Sequence, residues 1–145
     1  MKATIWFRMA AGFFVLFAVG HTFGFLTLRA PTPESRAVYD SMNSVHFTVH
    51  NTAYSYGGFY RGFGLSCTMS MLFSAAVAWH LGALAKNTPQ AIGWLGWAFL
   101  VVQLAGLVLS LIYFGLPPAV FSGIVAVCIA AGSWLAWTNS NPRAT

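Results

Sequence analysis

The sequence predicts an all-α protein: a membrane-spanning four-helix bundle with an extra amphipathic helix in the first loop. Three observations predict this fold. Charged residues make up only 6% of the 145 residues, whereas a soluble domain needs about a quarter to cover its surface. Four stretches reach about the 20 apolar residues that cross a bilayer. The one long connection, between the first two stretches, carries a regular apolar stripe.

The four predicted spans cover about residues 5–28, 59–85, 91–116 and 119–137, within a single transmembrane domain of residues 1–145. No charged residue occurs between Asn87 and Pro142, and only Pro117 and Pro118 separate the last two spans. Because proline lacks an amide donor, we expect the chain to reverse at this pair.

Small residues recur at intervals of four along the spans, which favours close approach of helix backbones in lipid and therefore one compact bundle. In the second span this small-residue track comprises Gly62, Ser66, Ser70, Ser74 and Ala78.

Positive charges in short loops predict the orientation, because Lys and Arg favour the cytoplasmic side. With the amino terminus inside, four basic residues are cytoplasmic: Lys2, Arg8, Lys86 and Arg143. Three are outside: Arg29, Arg36 and Arg61. The count favours a multi-pass protein with both termini in the cytoplasm. The net charge of +5 does not indicate nucleic-acid binding, since the basic residues are scattered.

The connection between the first two spans predicts an amphipathic helix over about residues 33–50. Thr32 is a capping residue, Pro33 suits the first helical position, and Glu34 lies near the positive end of the helix dipole. An apolar stripe follows at helical spacing: Val38, Met42, Val45 and Val49. We therefore expect this helix to lie on the outer membrane interface or to cap the bundle.

Candidate functional residues form a second stripe on the same predicted helix: Tyr39, Asn43, His46 and His50. His46 and His50 are one helical turn apart, a spacing that lets two imidazoles reach one metal ion. His21 lies near the outer end of the first span, on the same side of the membrane. Together His21, His46 and His50 are the candidate metal ligands, for haem or a transition metal.

Three further residues complete the candidate ligand-binding set. Tyr54 and Arg61 flank the entrance to the second span. Gln103 lies near the middle of the third span, where an amide is either an interhelical hydrogen-bonding group or a ligand contact.

Three functions fit this set, and whether the protein is an enzyme stays open. In the first, an outer pocket of His and Tyr side chains binds a membrane lipid, a quinone or a similar amphipathic ligand. In the second, the protein is a haem- or metal-dependent membrane oxidoreductase that uses His21, His46 and His50. In the third, it is a structural subunit of a larger membrane complex, with a membrane-protein partner or another copy of itself.

Several short motifs resemble those of known bacterial membrane proteins. The runs RMAAG at residues 8–12 and GHTFG at 20–24 resemble the first span of small four-helix proteins of the broad DoxX-like type. The runs FYRGFG at 59–64 and YFG at 113–115 are similar to a narrower bacterial family of the same size. The resemblance implies four helices in the bacterial inner membrane. Because DoxX-like relatives include auxiliary subunits of membrane redox systems, it also implies a redox association, but it assigns no catalytic residue.

Overall fold

The computed structural model describes residues 2–27 and 30–140. The elements in chain order are α1 (Ala3–Thr27), α2 (Pro33–Ser44), β1 (His46–Val49), β2 (Thr52–Ser55), α3 (Tyr56–Asn87), a 3-10 turn (Pro89–Ala91), α4 (Leu95–Leu109), a π-helical turn (Ser110–Phe114) and α5 (Leu116–Ser140). The predicted span end at Leu28 and the predicted loop charges at Arg29 and Arg143 lie outside the described residues.

Four segments are long and apolar enough to cross a membrane: Ala3–Thr27, Tyr56–Asn87, Leu95–Phe114 and Leu116–Ser140. By length and composition, the all-α class and a multi-pass membrane protein are therefore confirmed. The second and fourth segments begin three residues earlier than predicted and extend two or three residues further.

The chain reverses before α5 at Gly115, and the predicted break at Pro117 and Pro118 is wrong. Gly115 has φ 82° and ψ −164°, a conformation that glycine adopts without steric cost. Its amide donates to the carbonyl of Ser110 at 2.9 Å and closes the π-helical turn. The two prolines instead lie in the first turn of α5, where their missing amide protons would have no intrahelical acceptor.

Helix α2 begins as predicted but ends much earlier, so the predicted helix over 33–50 is wrong beyond Ser44. At its start, Thr32 Oγ1 accepts a hydrogen bond from the Ser35 amide, and Ser35 Oγ accepts one from the Thr32 amide. This reciprocal capping box satisfies two amides that have no intrahelical acceptor. At the other end, Val45 has extended dihedrals, φ −79° and ψ 129°.

Strands β1 and β2 form an antiparallel hairpin in the place of the last predicted helical turns. His46 pairs with Ser55 and Val49 pairs with Thr52. The two residues between the strands, His50 and Asn51, both have positive φ (48° and 65°), as a tight hairpin turn requires. The β-branched and aromatic residues of this segment favour an extended chain, and that preference outweighs the helical spacing of its apolar positions.

The chain divides into two compact units. The core unit comprises Met1–Phe17 and Met71–Thr145, and the loop unit comprises Ala18–Ser70. Helices α1 and α3 therefore contribute residues to both units.

Residues from all four spanning helices pack together in the core unit. Ile129 is completely enclosed in a cluster with Ala10 and Ala78, and Phe7 is completely enclosed in a second cluster with Ala136. Gly132 lies directly against the ring of Phe7, because an added Cβ would come within 3.0 Å of Phe7 Cε2. Small residues thus create the space that the enclosed aromatic side chains fill, as is typical of helix association in lipid.

The loop unit has almost no interior. Among its described residues only Ala18, Gly57 and Gly64 are buried. No residue of α2 is buried, and its apolar residues Val38 and Tyr39 are exposed.

Candidate ligand-binding site

An open apolar groove of about 400 Å³ lies on the loop unit, where α2 meets the start of α3. Its lining residues are Ala37, Val38, Ser41, Met42, Val45 and Tyr56. Three of the four residues of the predicted apolar stripe therefore share one surface. Val38 is 61% exposed and Val45 is 52% exposed, so the described part of the chain leaves this surface uncovered.

A hydrogen-bonded polar pair, Asn43 and Arg61, adjoins the groove. Arg61 Nη2 donates to Asn43 Oδ1 at 2.7 Å. Asn43 Nδ2 donates in turn to the carbonyl of Tyr39 at 2.8 Å, which fixes the orientation of the amide. Asn43 is neutral, so this contact orients the guanidinium without compensating its charge.

Gly57 explains how the polar pair and the groove come to be neighbours. Gly57 is buried, and an added Cβ would collide with the Asn43 side chain and lie 3.2 Å from the Met42 carbonyl oxygen. The absence of a side chain lets α2 approach the first turn of α3. Tyr56, which lines the groove, is the preceding residue.

His21 holds α1 and α3 together within the loop unit. Its Nε2 lies 3.1 Å from the carbonyl oxygen of Gly64, to which a neutral imidazole donates from this nitrogen. The ring stacks on Phe25 with 5.8 Å between centroids. Nearby, the hydroxyls of Thr22, the residue after His21, and Thr68, one turn after Gly64, share a hydrogen bond of 2.8 Å.

The hairpin gives the remaining loop residues local roles. His46 Nδ1 donates to the carbonyl of Ser44 at 2.7 Å, and His50 lies in the turn. Tyr54 packs on Phe47, whose ring also contacts Tyr56 and Phe59, with centroid distances between 5.0 and 6.0 Å. Tyr54 is thus part of an aromatic cluster.

The predicted three-histidine metal site is not formed. Residues 2–27 and 30–140 contain no group of three His, Cys, Asp or Glu side chains placed to hold one metal ion. The prediction required His46 and His50 to be about 6 Å apart on a helix. In an extended strand the same spacing corresponds to about 13 Å along the chain.

Gln103 belongs to the core unit, whereas the residues that line the groove belong to the loop unit. Its Nε2 donates to the carbonyl of Ser122 at 3.2 Å, which links α4 to α5. This is the interhelical role, one of the two that the sequence left open.

The sequence did not predict the contact of Arg8 with Trp79, which also lies in the core unit. The guanidinium carbon of Arg8 lies 3.3 Å from the centroid of a Trp79 ring, a cation–π stack. The sequence indicates Arg8 as a topology signal and as part of the run RMAAG, but not as the partner of an aromatic ring. An arginine five residues inside a spanning helix is nevertheless a signal for a specific partner.

No protein-family model, no curated protein and no solved structure matches this chain. The chemistry of the site therefore rests on its own residues, and the DoxX-like resemblance stays a prediction.

Proposed function

We propose that this multi-pass membrane protein binds a lipid, a quinone or a similar amphipathic molecule on the loop unit. The tail lies along the groove of α2 and the head group lies at Asn43 and Arg61. The observation that carries the proposal is the juxtaposition of an uncovered apolar groove with an oriented guanidinium. An apolar surface with a few convergent polar groups is the usual composition of a small-molecule site.

The apolar half of the site follows from the position of α2 in the chain. Helix α2 and the hairpin connect two segments that are long enough to span a membrane, α1 and α3. The connection therefore begins and ends at a membrane surface. An amphipathic helix in that position places its apolar face against acyl or isoprenoid chains. Exposed Val38 and Val45 fit such an occupant.

The polar half of the site selects the head group. Arg61 uses one nitrogen on Asn43 and has further N–H donors in a planar fork. Such a fork binds phosphate or carboxylate oxygens in pairs and also donates to a quinone carbonyl. The head group is therefore a hydrogen-bond acceptor.

The wider setting belongs to the same proposal. The four spanning helices form one bundle in a bacterial inner membrane, with both termini in the cytoplasm. The packing of residues from all four helices in the core unit supports the bundle. With a quinone as the ligand, the protein is auxiliary to a membrane redox system.

Native mass spectrometry of the full chain in mild detergent tests the proposal, with decylubiquinone and phosphatidylglycerol as probes. Removing one charged hydrogen-bond partner in Arg61→Gln should weaken binding of the preferred probe about tenfold or more. Val38→Asp, which places a charge in the groove, should weaken it as well. The matched control is Arg36→Gln, which replaces an exposed arginine on α2, the helix that carries Val38. This variant should bind like the wild type. Unchanged binding in both site variants would overturn the proposal.

A structural subunit of a larger complex is the second candidate. It is favoured by the exposed part of the small-residue track in α3, Gly62, Ser66 and Ser70. Both serine hydroxyls donate to carbonyls of their own helix, so this face presents no unsatisfied hydroxyl to a partner helix. Absence of probe binding together with a stable dimer, or a co-purifying membrane protein, would favour this candidate. The described residues offer no three-ligand group in support of the oxidoreductase.

A further inference from the structure

We infer that Arg8 and Trp79 form a second binding site, for a phosphate group, at the end of the core unit where α1 begins and α3 ends. The stack of the guanidinium on the indole, with 3.3 Å between the guanidinium carbon and the ring centroid, fixes the plane of the guanidinium. A guanidinium held flat presents its N–H groups as a fork with a defined direction, which matches two oxygens of one phosphate.

The charge of Arg8 has no acidic side chain to balance it within the core unit. The chain has only two acidic residues, Glu34 and Asp40, and both belong to the loop unit. The core unit meanwhile carries Lys2 and Lys86 near the same helix ends. A cation at the edge of an apolar unit needs an anion from outside the chain or an extensive hydration shell.

The hydrogen bonding of the guanidinium is incomplete in the described residues. Nε of Arg8 is enclosed and has no hydrogen-bond partner. Gly82 leaves the room for this side chain, since an added Cβ would lie 3.2 Å from Nε and 3.4 Å from Cδ. Arg8 as a whole is only partly buried, so part of its side chain reaches the surface of the unit.

Both residues lie towards one end of a spanning helix, from which long side chains reach the polar region of a bilayer. Arg8 is five residues inside α1, about 8 Å along the helix, and Trp79 is eight residues before the end of α3, about 12 Å. The interfacial region of a bilayer extends several Å beyond the hydrocarbon core, and indole rings and arginine heads favour it. The ligand class is therefore a phosphate ester or a phosphate ion, carried by an anionic lipid or free in solution.

Native mass spectrometry of the delipidated full chain tests this inference, with phosphatidylglycerol, diacylglycerol and inorganic phosphate as separate probes. The wild type should bind phosphatidylglycerol at least tenfold more tightly than diacylglycerol, which lacks the phosphate. The Arg8 and Trp79 variants are measured in an Arg61→Gln background, which lacks the head-group contact of the loop-unit site. There Arg8→Gln should remove this preference, and Arg8→Lys should retain only part of it because lysine keeps the charge without the fork. Competition by millimolar inorganic phosphate identifies a free phosphate as the ligand, and its absence identifies the lipid head group.

Two controls keep the test decisive. Arg36→Gln should leave the phosphate preference intact, and the Arg61→Gln background removes the head-group contact of the loop-unit site, so that failure of the loop-unit site and failure of this site are distinguishable. Trp79→Leu should lower the preference at least threefold in a protein whose helical circular dichroism is unchanged. This second variant keeps the inference testable if the Arg8 variants fail to fold. A preference that survives both Arg8→Gln and Trp79→Leu would overturn the inference.

Discussion

The core unit and the loop unit each include part of α1 and part of α3, yet they bury their residues very differently. In the core unit large side chains such as Phe7, Leu81 and Ile129 are fully enclosed. In the loop unit the described buried residues are Ala18, Gly57 and Gly64. An apolar side chain therefore serves packing within the chain in one unit and is left for the surroundings in the other. Apolar composition alone does not distinguish the two roles.

The small-residue track of α3 shows the same contrast within one helix. Ala78, in the core unit, is completely enclosed, whereas Ser66 and Ser70, in the loop unit, are exposed. The spacing is the same along the helix. Only the neighbouring residues decide whether the track forms a helix contact.

The largest expected effect is a difference in stability between the same substitution, Phe→Ala, made in each unit. Without this difference, the contrast between the two units would not hold. Phe7→Ala removes an enclosed ring and should destabilise the protein by about 3 kcal/mol. Phe23→Ala, on the same helix but 71% exposed, should change stability by less than about 0.5 kcal/mol. Unfolding in mixed detergent micelles, followed by circular dichroism, measures both. Equal losses would mean that the loop unit is packed as tightly as the core unit.

An intermediate effect concerns the hairpin turn. Because the loop unit buries few residues, we expect the hairpin to open locally, without unfolding of the core unit. His50→Val places a β-branched residue at φ 48° and should destabilise the hairpin by about 1–2 kcal/mol. Hydrogen exchange of peptides covering residues 46–55 should accelerate while peptides of α5 stay protected. Thr48→Val, at an extended position in β1, is the control and should leave exchange unchanged. Faster exchange throughout the chain would contradict local opening.

The smallest effect is a pH dependence of the stability of α2, which originates at the start of this helix. Hydrogen bonds from its own backbone amide and from Thr32 hold the pKa of Glu34 below its ordinary value. A lowered pKa in the folded state stabilises α2 at pH values above the ordinary pKa, and this contribution is lost as the pH falls through the lowered value.

Hydrogen exchange of residues 33–44, corrected for intrinsic pH effects, should therefore become faster as the solution is acidified towards pH 3, because α2 becomes less stable. Glu34→Gln should remove the dependence, and protection in the core unit should not follow it. An unaltered dependence in Glu34→Gln would exclude this carboxylate as its origin.

Much of the fold could be predicted because its signals are local. Hydropathy over about 20 residues identifies a span without knowledge of its neighbours, and the four spans lie within a few residues of their predicted positions. The start of α2 is likewise local, since Thr32 and Ser35 are three residues apart and cap the helix themselves.

The candidate site was only partly predictable, because it depends on which backbone geometry the loop adopts. Tyr39, Asn43 and Arg61 belong to the candidate set predicted from the sequence, and hydrogen bonds join them across up to 18 positions of the chain. His46 and His50 were assigned to a helix because an apolar residue recurs at helical spacing through Val45 and Val49. Pairing with residues 52–55 makes residues 46–49 a β-strand instead, and helical periodicity carries no information about that pairing.

The sequence by itself thus determined a membrane protein with four spanning helices, their approximate ends and the capping of α2, since each depends on a short window of the chain. Tertiary structure alone decided the hairpin, the contact of Gly57 beneath Asn43 and the stack of Arg8 on Trp79. Arg8 and Trp79 are far apart in the chain and come together only because two helices pack at a glycine. Spacing along one helix can specify which residues share a face, but it cannot specify what that face meets.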